Sequence, residues 1–176
     1  MIIEEKTIST ERIYEGAILN LRKDKVTVKE GRTSYREIVE HKGGVVIAAI
    51  TPDNKIPMVK QFRKAAEKAV LEIPAGKLED DEDPKEAALR ELREETGYTA
   101  ESIKYINSFY SSIGYSEEVL HLYIAGDLKA GETDFDDNEA IEIYEYSIDE
   151  LVNMVMDKTI EDAKTIIAIF MLKTLM

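Results

Sequence analysis

Gly76–Tyr98 reads GKLEDDEDPKEAALRELREETGY, and its second half carries helix signals at both ends. Asp83 can cap a helix, and Pro84 suits the first helical position, where a missing N–H costs nothing. Glu86 stands in the capping-box position. Gly97 follows the last periodic residue and can take a left-handed cap conformation. At about 100° per residue, Ala88, Leu89 and Leu92 fall on one face, fit to pack on a core. Glu91, Glu94 and Glu95 fall within about 100° of one another on a neighbouring face. Glu91 and Glu95 are one turn apart, so their repulsion should cost the helix a few tenths, roughly 0.2–0.5 kcal/mol. A hard divalent cation reverses that sign, because Mg²⁺ prefers carboxylate and phosphate oxygen. Arg90 can reach Glu94 four residues on and orient it. The plain alternative is a solvated acidic face.

Composition narrows the field. The 176 residues suit one globular domain with a small extension, and 44% hydrophobic content is enough for a real core. Cysteine is absent, so disulfides and thiolate metal sites are excluded. That absence fits a reducing compartment, and we expect a cytoplasmic protein. The longest apolar run, Val45–Ile50, is too short to span a bilayer. The start, MIIEEKTIST, does not read as a secretory signal. A net charge of −13 repels nucleic acid, and no basic stripe offsets it.

Outward from the quoted stretch, residues 1–41 read as a thin β piece with strands at Thr7–Tyr14, Ala17–Val28 and Ser34–His41 and a turn at Glu30–Arg32. It holds few large apolar residues and should pack on something else, either residues 42–176 or a second copy of the chain. Val45–Ile50 is a strand buried on both faces. Ile56–Arg63 returns, with Pro57 placing its start near a sheet edge. Val70–Ile73 is a short strand, and Pro74–Gly76 a turn. Ile103–Tyr110, Val119–Ala125 and Ile141–Tyr146 read as strands, and Gly126–Glu139 as a mostly polar, acidic loop. Ser147 and Glu150 form a second capping box. A last helix over about Ile160–Met176 shows an apolar stripe of Ile166, Ile167, Phe170, Met171 and Leu175.

Gly76, Glu82, Arg90, Glu91, Glu94, Glu95 and Gly97 keep the spacing of the Nudix box, and the chain resembles the Nudix hydrolases at every defining polar and glycine position. Tyr98 stands where that family usually has an aliphatic residue. The likeness extends to Tyr35–His41, Val59–Arg63, Leu71–Glu79 and Asp162–Thr165, which are similar to the ADP-ribose pyrophosphatase branch. It implies an α/β fold, a Nudix-type α/β/α sandwich with a mixed sheet, plus a small N-terminal β domain and a homodimer. It further implies cleavage of ADP-ribose to AMP and ribose 5-phosphate with Mg²⁺, Mn²⁺ being an alternative. Where the branch usually has Ser-Pro-Gly, this chain has Ser112-Ile113-Gly114, which loses the preset φ of proline. Another nucleoside diphosphate sugar therefore stays open as substrate, as do a nucleoside triphosphate and a non-catalytic nucleotide-binding module.

Pyrophosphate hydrolysis needs phosphate charge neutralised, water activated and the leaving group held in line. Glu91 and Glu95 are the first-choice metal ligands, and the resemblance adds the Ala75 carbonyl. Glu94 either binds a second ion or orients water. Arg90 is expected to hold Glu94 and the loop in place rather than touch substrate, and Glu82 either ties that loop to the helix or is a solvated loop acid. The resemblance draws the base from the acidic loop. Glu139 matches a metal-proximal glutamate, and Asp137 stands where the family often has a glutamate base. Arg63 is the expected phosphate contact, since arginine grips phosphate bidentately. The resemblance also points to Gly114 as substrate-binding. Arg36 and Glu37 would meet the adenosine moiety from the partner subunit, or else are an ordinary pair of strand charges. His41 and His121 lack metal spacing and read as structural.

Overall fold

The structure, a computed structural model, describes residues 2–134 and 140–176. The chain divides into two compact units, Met1–Gly43 with Tyr110–Val119, and Gly44–Phe109 with Leu120–Met176.

The first unit is an antiparallel meander of β1 (Thr7–Glu15), β2 (Asn20–Thr27) and β3 (Thr33–Glu40), in the order β1-β2-β3. Glu30 and Gly31 turn β2 into β3 with φ of 63° and 71°. Every residue of β1 is exposed, and Val26 is the buried apolar residue of this unit among the described residues. Polar contacts do much of the joining. Arg22 donates to Glu40 at 2.6 Å, Glu117 at 2.5 Å and Asp24 at 3.2 Å. The 110–119 segment is tied to β3 by Val39 N–H to the Tyr115 carbonyl, 2.8 Å, and Glu117 N–H to the Val39 carbonyl, 2.9 Å.

The second unit holds two sheets and three helices. One sheet has the order β7-β4-β9-β8, from β4 (Gly44–Ala49), β7 (Ala75–Lys77), β8 (Tyr98–Tyr110) and β9 (Val119–Ala130). It is mixed, since β4 runs parallel to β9 and antiparallel to β7. The other sheet is antiparallel, with β5 (Ile56–Arg63) between β10 (Ile141–Tyr146) and β6 (Lys68–Glu72). Strand β4 is buried throughout, so its alternating side chains feed two cores. Val45, Ile47 and Ala49 meet Ala87, Ala88 and Leu92 of α1 (Pro84–Thr96). Val46 and Ala48 share a core with Ile56, Met58, Leu71 and the buried residues of α2 (Ile148–Met156) and α3 (Ala163–Leu175). The layered α/β architecture expected from the element order is present.

The helix signals act as read, with one exception. Asp83 accepts from the N–H groups of Lys85 (2.9 Å) and Glu86 (3.3 Å), and Gly97 closes α1 at φ 75°. No reciprocal bond from Glu86 completes a box there, whereas Ser147 and Glu150 form a complete one on α2.

Strand β5 is the middle strand of its sheet, and its start lies at an edge, as Pro57 led us to expect. Pro57 pairs with Glu145 of β10 but precedes the Val59–Arg63 stretch that pairs with β6, so it faces a strand on one side alone. Residues 75–77 form β7 rather than a turn, and β9 continues through Gly126 to Ala130. Helix α3 buries Thr165, Ala168, Ile169 and Leu172, while Ile167, Phe170 and Leu175 of the expected stripe are exposed. An unbroken apolar run from Ile166 to Leu172 gives no periodicity to choose a face. Among the described residues no helix is long and apolar enough to cross a membrane.

Candidate active site

Strand β7 and helix α1 make the site together. The β4–β7 pairing sets Gly76 opposite Val45, and Val45 belongs to the core that α1 covers. Glu91 lies over this glycine. A Cβ at residue 76 would stand 1.8 Å from Glu91 Cδ and 1.9 Å from its Oε1, so the carboxylate fits there because residue 76 has no side chain. One turn on, Glu95 is 5% exposed and its Oε2 accepts the Ala75 N–H at 3.0 Å. Glu91 and Glu95 therefore reach the same two-residue step from one face of α1.

Arg90 organises the surrounding acids. Its Nε and Nη2 grip Glu82 at 2.9 and 3.0 Å. Its Nη1 donates to Glu91 at 2.8 Å and to Glu94 at 3.0 Å. Nη2 also reaches the Lys77 carbonyl at 3.4 Å. Glu82 in turn accepts the Glu79 N–H at 3.0 Å, which closes the loop between β7 and α1. Bonds from Arg90 hold the Glu82 carboxyl below the usual carboxylate range, and Glu82 foremost raises Arg90. Arg90 thus touches Glu94 as expected, and reaches three acids rather than one.

Among the described residues no three acidic or histidine side chains are gathered closely enough to hold a metal ion by themselves. The donor set still fits Mg²⁺, which keeps several waters and takes one or two carboxylates together with phosphate oxygens. Glu91 and Glu95 at the Ala75–Gly76 step supply that number.

Arg63 lies at the end of β5 and forms a bidentate pair with Glu72 of β6, Nε–Oε1 2.6 Å and Nη2–Oε2 2.9 Å. Lys164 also donates to Glu72. Burial pushes the Glu72 carboxyl up, but Arg63 and Lys164 outweigh it and hold it below the usual range. Glu72 in turn raises Arg63.

Arg36, Glu37 and Gly114 belong to the other unit. Arg36 pairs with Glu5 and donates to the Tyr35 carbonyl at 2.8 Å. Glu37 is exposed opposite Lys23, and a Cβ at Gly114 would meet open space. Asp137 and Glu139 lie outside the described residues. His41 Nδ1 accepts the Gly43 N–H at 3.0 Å, and His121 Nδ1 is 2.8 Å from Ser108 Oγ.

The NUDIX domain family model matches residues 40–168. The chain belongs to the Nudix family. Among its relatives, a methanol dehydrogenase activator of Bacillus methanolicus is 47% identical over 170 residues, 96% of this chain and 92% of that one. An ADP-ribose pyrophosphatase of Bacillus subtilis is 44% identical over 169 residues, 95% and 91% of the two chains. A solved structure described as an ADP compounds hydrolase superposes with a TM-score of 0.88, covering 99% of this chain and 95% of its own, at 18% identity. That last likeness shows the fold alone. The Nudix helix is α1, and its box runs through β7, the loop and Gly97.

Glu72 and Lys164 fall within the stretches Leu71–Glu79 and Asp162–Thr165, yet neither stands out there as a functional residue. The sequence offered no distinct signal for them, since Glu72 between Leu71 and Ile73 reads as the polar residue of an alternating, half-buried strand.

Proposed function

We propose that this Nudix hydrolase splits the pyrophosphate bond of ADP-ribose, with Mg²⁺, to give AMP and ribose 5-phosphate. One observation carries the reading: Glu91 and Glu95 converge on the Ala75–Gly76 step beside an arginine that fixes their neighbours. The relative from Bacillus subtilis, and a second one from Mycobacterium tuberculosis that is 39% identical over 125 residues, bear the name ADP-ribose pyrophosphatase and support the substrate.

Mg²⁺ held at this site would offset charge on the diphosphate and lower the pKa of a bound water. Glu91, Glu95 and the Ala75 carbonyl are its proposed ligands. Arg90 keeps Glu91 and Glu94 aimed, and Glu94 orients water. Arg63 contacts the phosphates through the part of its guanidinium that Glu72 leaves free. The water oxygen bonds to one phosphorus, the bridging P–O bond breaks, and a carboxylate takes the water proton. Asp137 and Glu139 are proposed for that proton, and Arg36, Glu37 and Gly114 for the substrate.

The protein is proposed to work as a homodimer. Ile8, Ile13, Tyr14 and Tyr35 of the first unit are each about half exposed, large apolar side chains of the kind a second copy would cover. Size-exclusion chromatography with light scattering tests this, and a monomer at working concentration rejects it.

A substrate panel with ADP-ribose, GDP-mannose and nucleoside triphosphates, scored by product chromatography, tests the activity. AMP from ADP-ribose at the highest kcat/KM is expected, and absence of any turnover rejects the reading. GDP-mannose is included because a relative named GDP-mannose pyrophosphatase is 31% identical over 141 residues. A second reading, activation of a methanol dehydrogenase, is favoured by the 47% identity to the activator. It is tested by adding the purified chain to such an enzyme, and an unchanged rate rejects it.

A further inference from the structure

Lys164 has no part in the chemistry above. Its side chain is 15% exposed, and its ammonium donates to Glu72 Oε2 and, at 2.9 Å, to Asp162 Oδ2. The Glu72 side chain is 3% exposed and is shared between Lys164 and Arg63. Folding alone does not call for this. An uncharged residue at position 72 would avoid the cost of burying a carboxylate and the Lys164 ammonium beside it.

The arrangement acts on Arg63. That arginine is 44% exposed at its side chain and spends Nε and Nη2 on Glu72, while Nη1 makes no hydrogen bond among the described residues. Were Glu72 paired with Arg63 alone, the charges would cancel and the site would lose its pull on an anion. Lys164 supplies the second positive charge. Two further acids act on Arg63: Glu95, which belongs to the proposed metal site, and Asp162, which caps α3, where the helix N-terminus offsets its charge. Asp162 accepts from Thr165 N–H at 3.1 Å and Thr165 Oγ1 at 2.6 Å. Thr165 Oγ1 accepts the Ile73 N–H at 2.9 Å, so the lysine is fixed to the residue after Glu72.

We propose that Lys164 is a positioning residue: by neutralising Glu72 it fixes the Arg63 guanidinium and leaves its charge available to the diphosphate of the substrate. The inference rests on Arg63 as a phosphate contact.

The test is steady-state kinetics of the full chain with ADP-ribose and Mg²⁺. Lys164→Met should raise KM about tenfold, the scale of one charged contact, with kcat changed less than about threefold. Lys164→Arg keeps the charge and should restore KM to within about threefold of the parent. Lys164→Gln keeps a donor without charge, should behave as the methionine variant does, and replaces it if that variant fails to fold. KM unchanged within about twofold in the neutral variants overturns the proposal, as does an equal loss in Lys164→Arg. In an Arg63→Ala background, replacing Lys164 should raise KM no further, and an undiminished second rise of about tenfold overturns it too. Arg63→Ala with unaltered KM instead defeats the phosphate contact itself. Should ADP-ribose not be turned over, calorimetric binding of inorganic pyrophosphate with Mg²⁺ makes the same comparison.

Discussion

The carboxylate of Glu91 occupies the space that any side chain at Gly76 would need, with Cδ 1.8 Å from an ideal Cβ. The overlap is with the far end of a flexible side chain, so a methyl group there would turn Glu91 away rather than break β7. Gly76→Ala should leave the circular dichroism spectrum unchanged and lower kcat about a hundredfold, the effect of misplacing a reacting group by an ångström.

Glu95 joins a structural bond to a proposed metal role, and two substitutions separate them. Glu95→Gln keeps an oxygen for the Ala75 N–H and should change unfolding stability by less than about 0.5 kcal/mol in urea titrations. Glu95→Ala leaves that N–H unsatisfied and should cost about 1–3 kcal/mol. Mg²⁺ with AMP should raise the melting temperature of the parent protein, and both variants should lose that rise.

Arg90 bonds to Glu82, Glu91 and Glu94 with a planar fork. A lysine cannot reproduce that geometry. Arg90→Lys and Arg90→Ala should therefore both lower kcat, by about tenfold or more, with KM little changed. Full activity in the lysine variant would show that charge alone suffices.

Acid should loosen α3 and β6 together. Glu72 and Asp162 both titrate below their ordinary ranges: in each, burial pushes upward and is outweighed, in Glu72 by Arg63 and Lys164, in Asp162 by Lys164 and Thr165. A depressed carboxyl contributes its stability above its unfolded pKa, about 4 for these groups, and loses it as pH falls through the lower native value. Urea midpoints measured from pH 7 to pH 3 should fall below about pH 4, and less steeply in Glu72→Gln. Equal slopes in the two proteins would remove Glu72 from the explanation.

The sequence exposed α1 and its acids because their signals are local. A cap, a proline, a glycine and a one-turn spacing lie within a single stretch, and the structure holds all of them. Strands β5 and β10 were legible to the residue, since turn residues bound them. Strand β7 was not: three residues long, it exists through pairing with β4, which lies about thirty residues earlier. The face of α3 failed for the opposite reason, an excess of apolar residues. At the site, the acids of the box could be read from spacing, but the Arg63–Glu72–Lys164 cluster joins three separate elements, and no spacing encodes it.

Thr165 holds the Ile73 amide across 92 positions of chain. A chain growing from the ribosome can thus pair β6 with β5 and β7 with β4 early, yet the Ile73 amide meets its partner only once α3 has emerged. The last link between the two ends of this unit is therefore also among the last that synthesis can close.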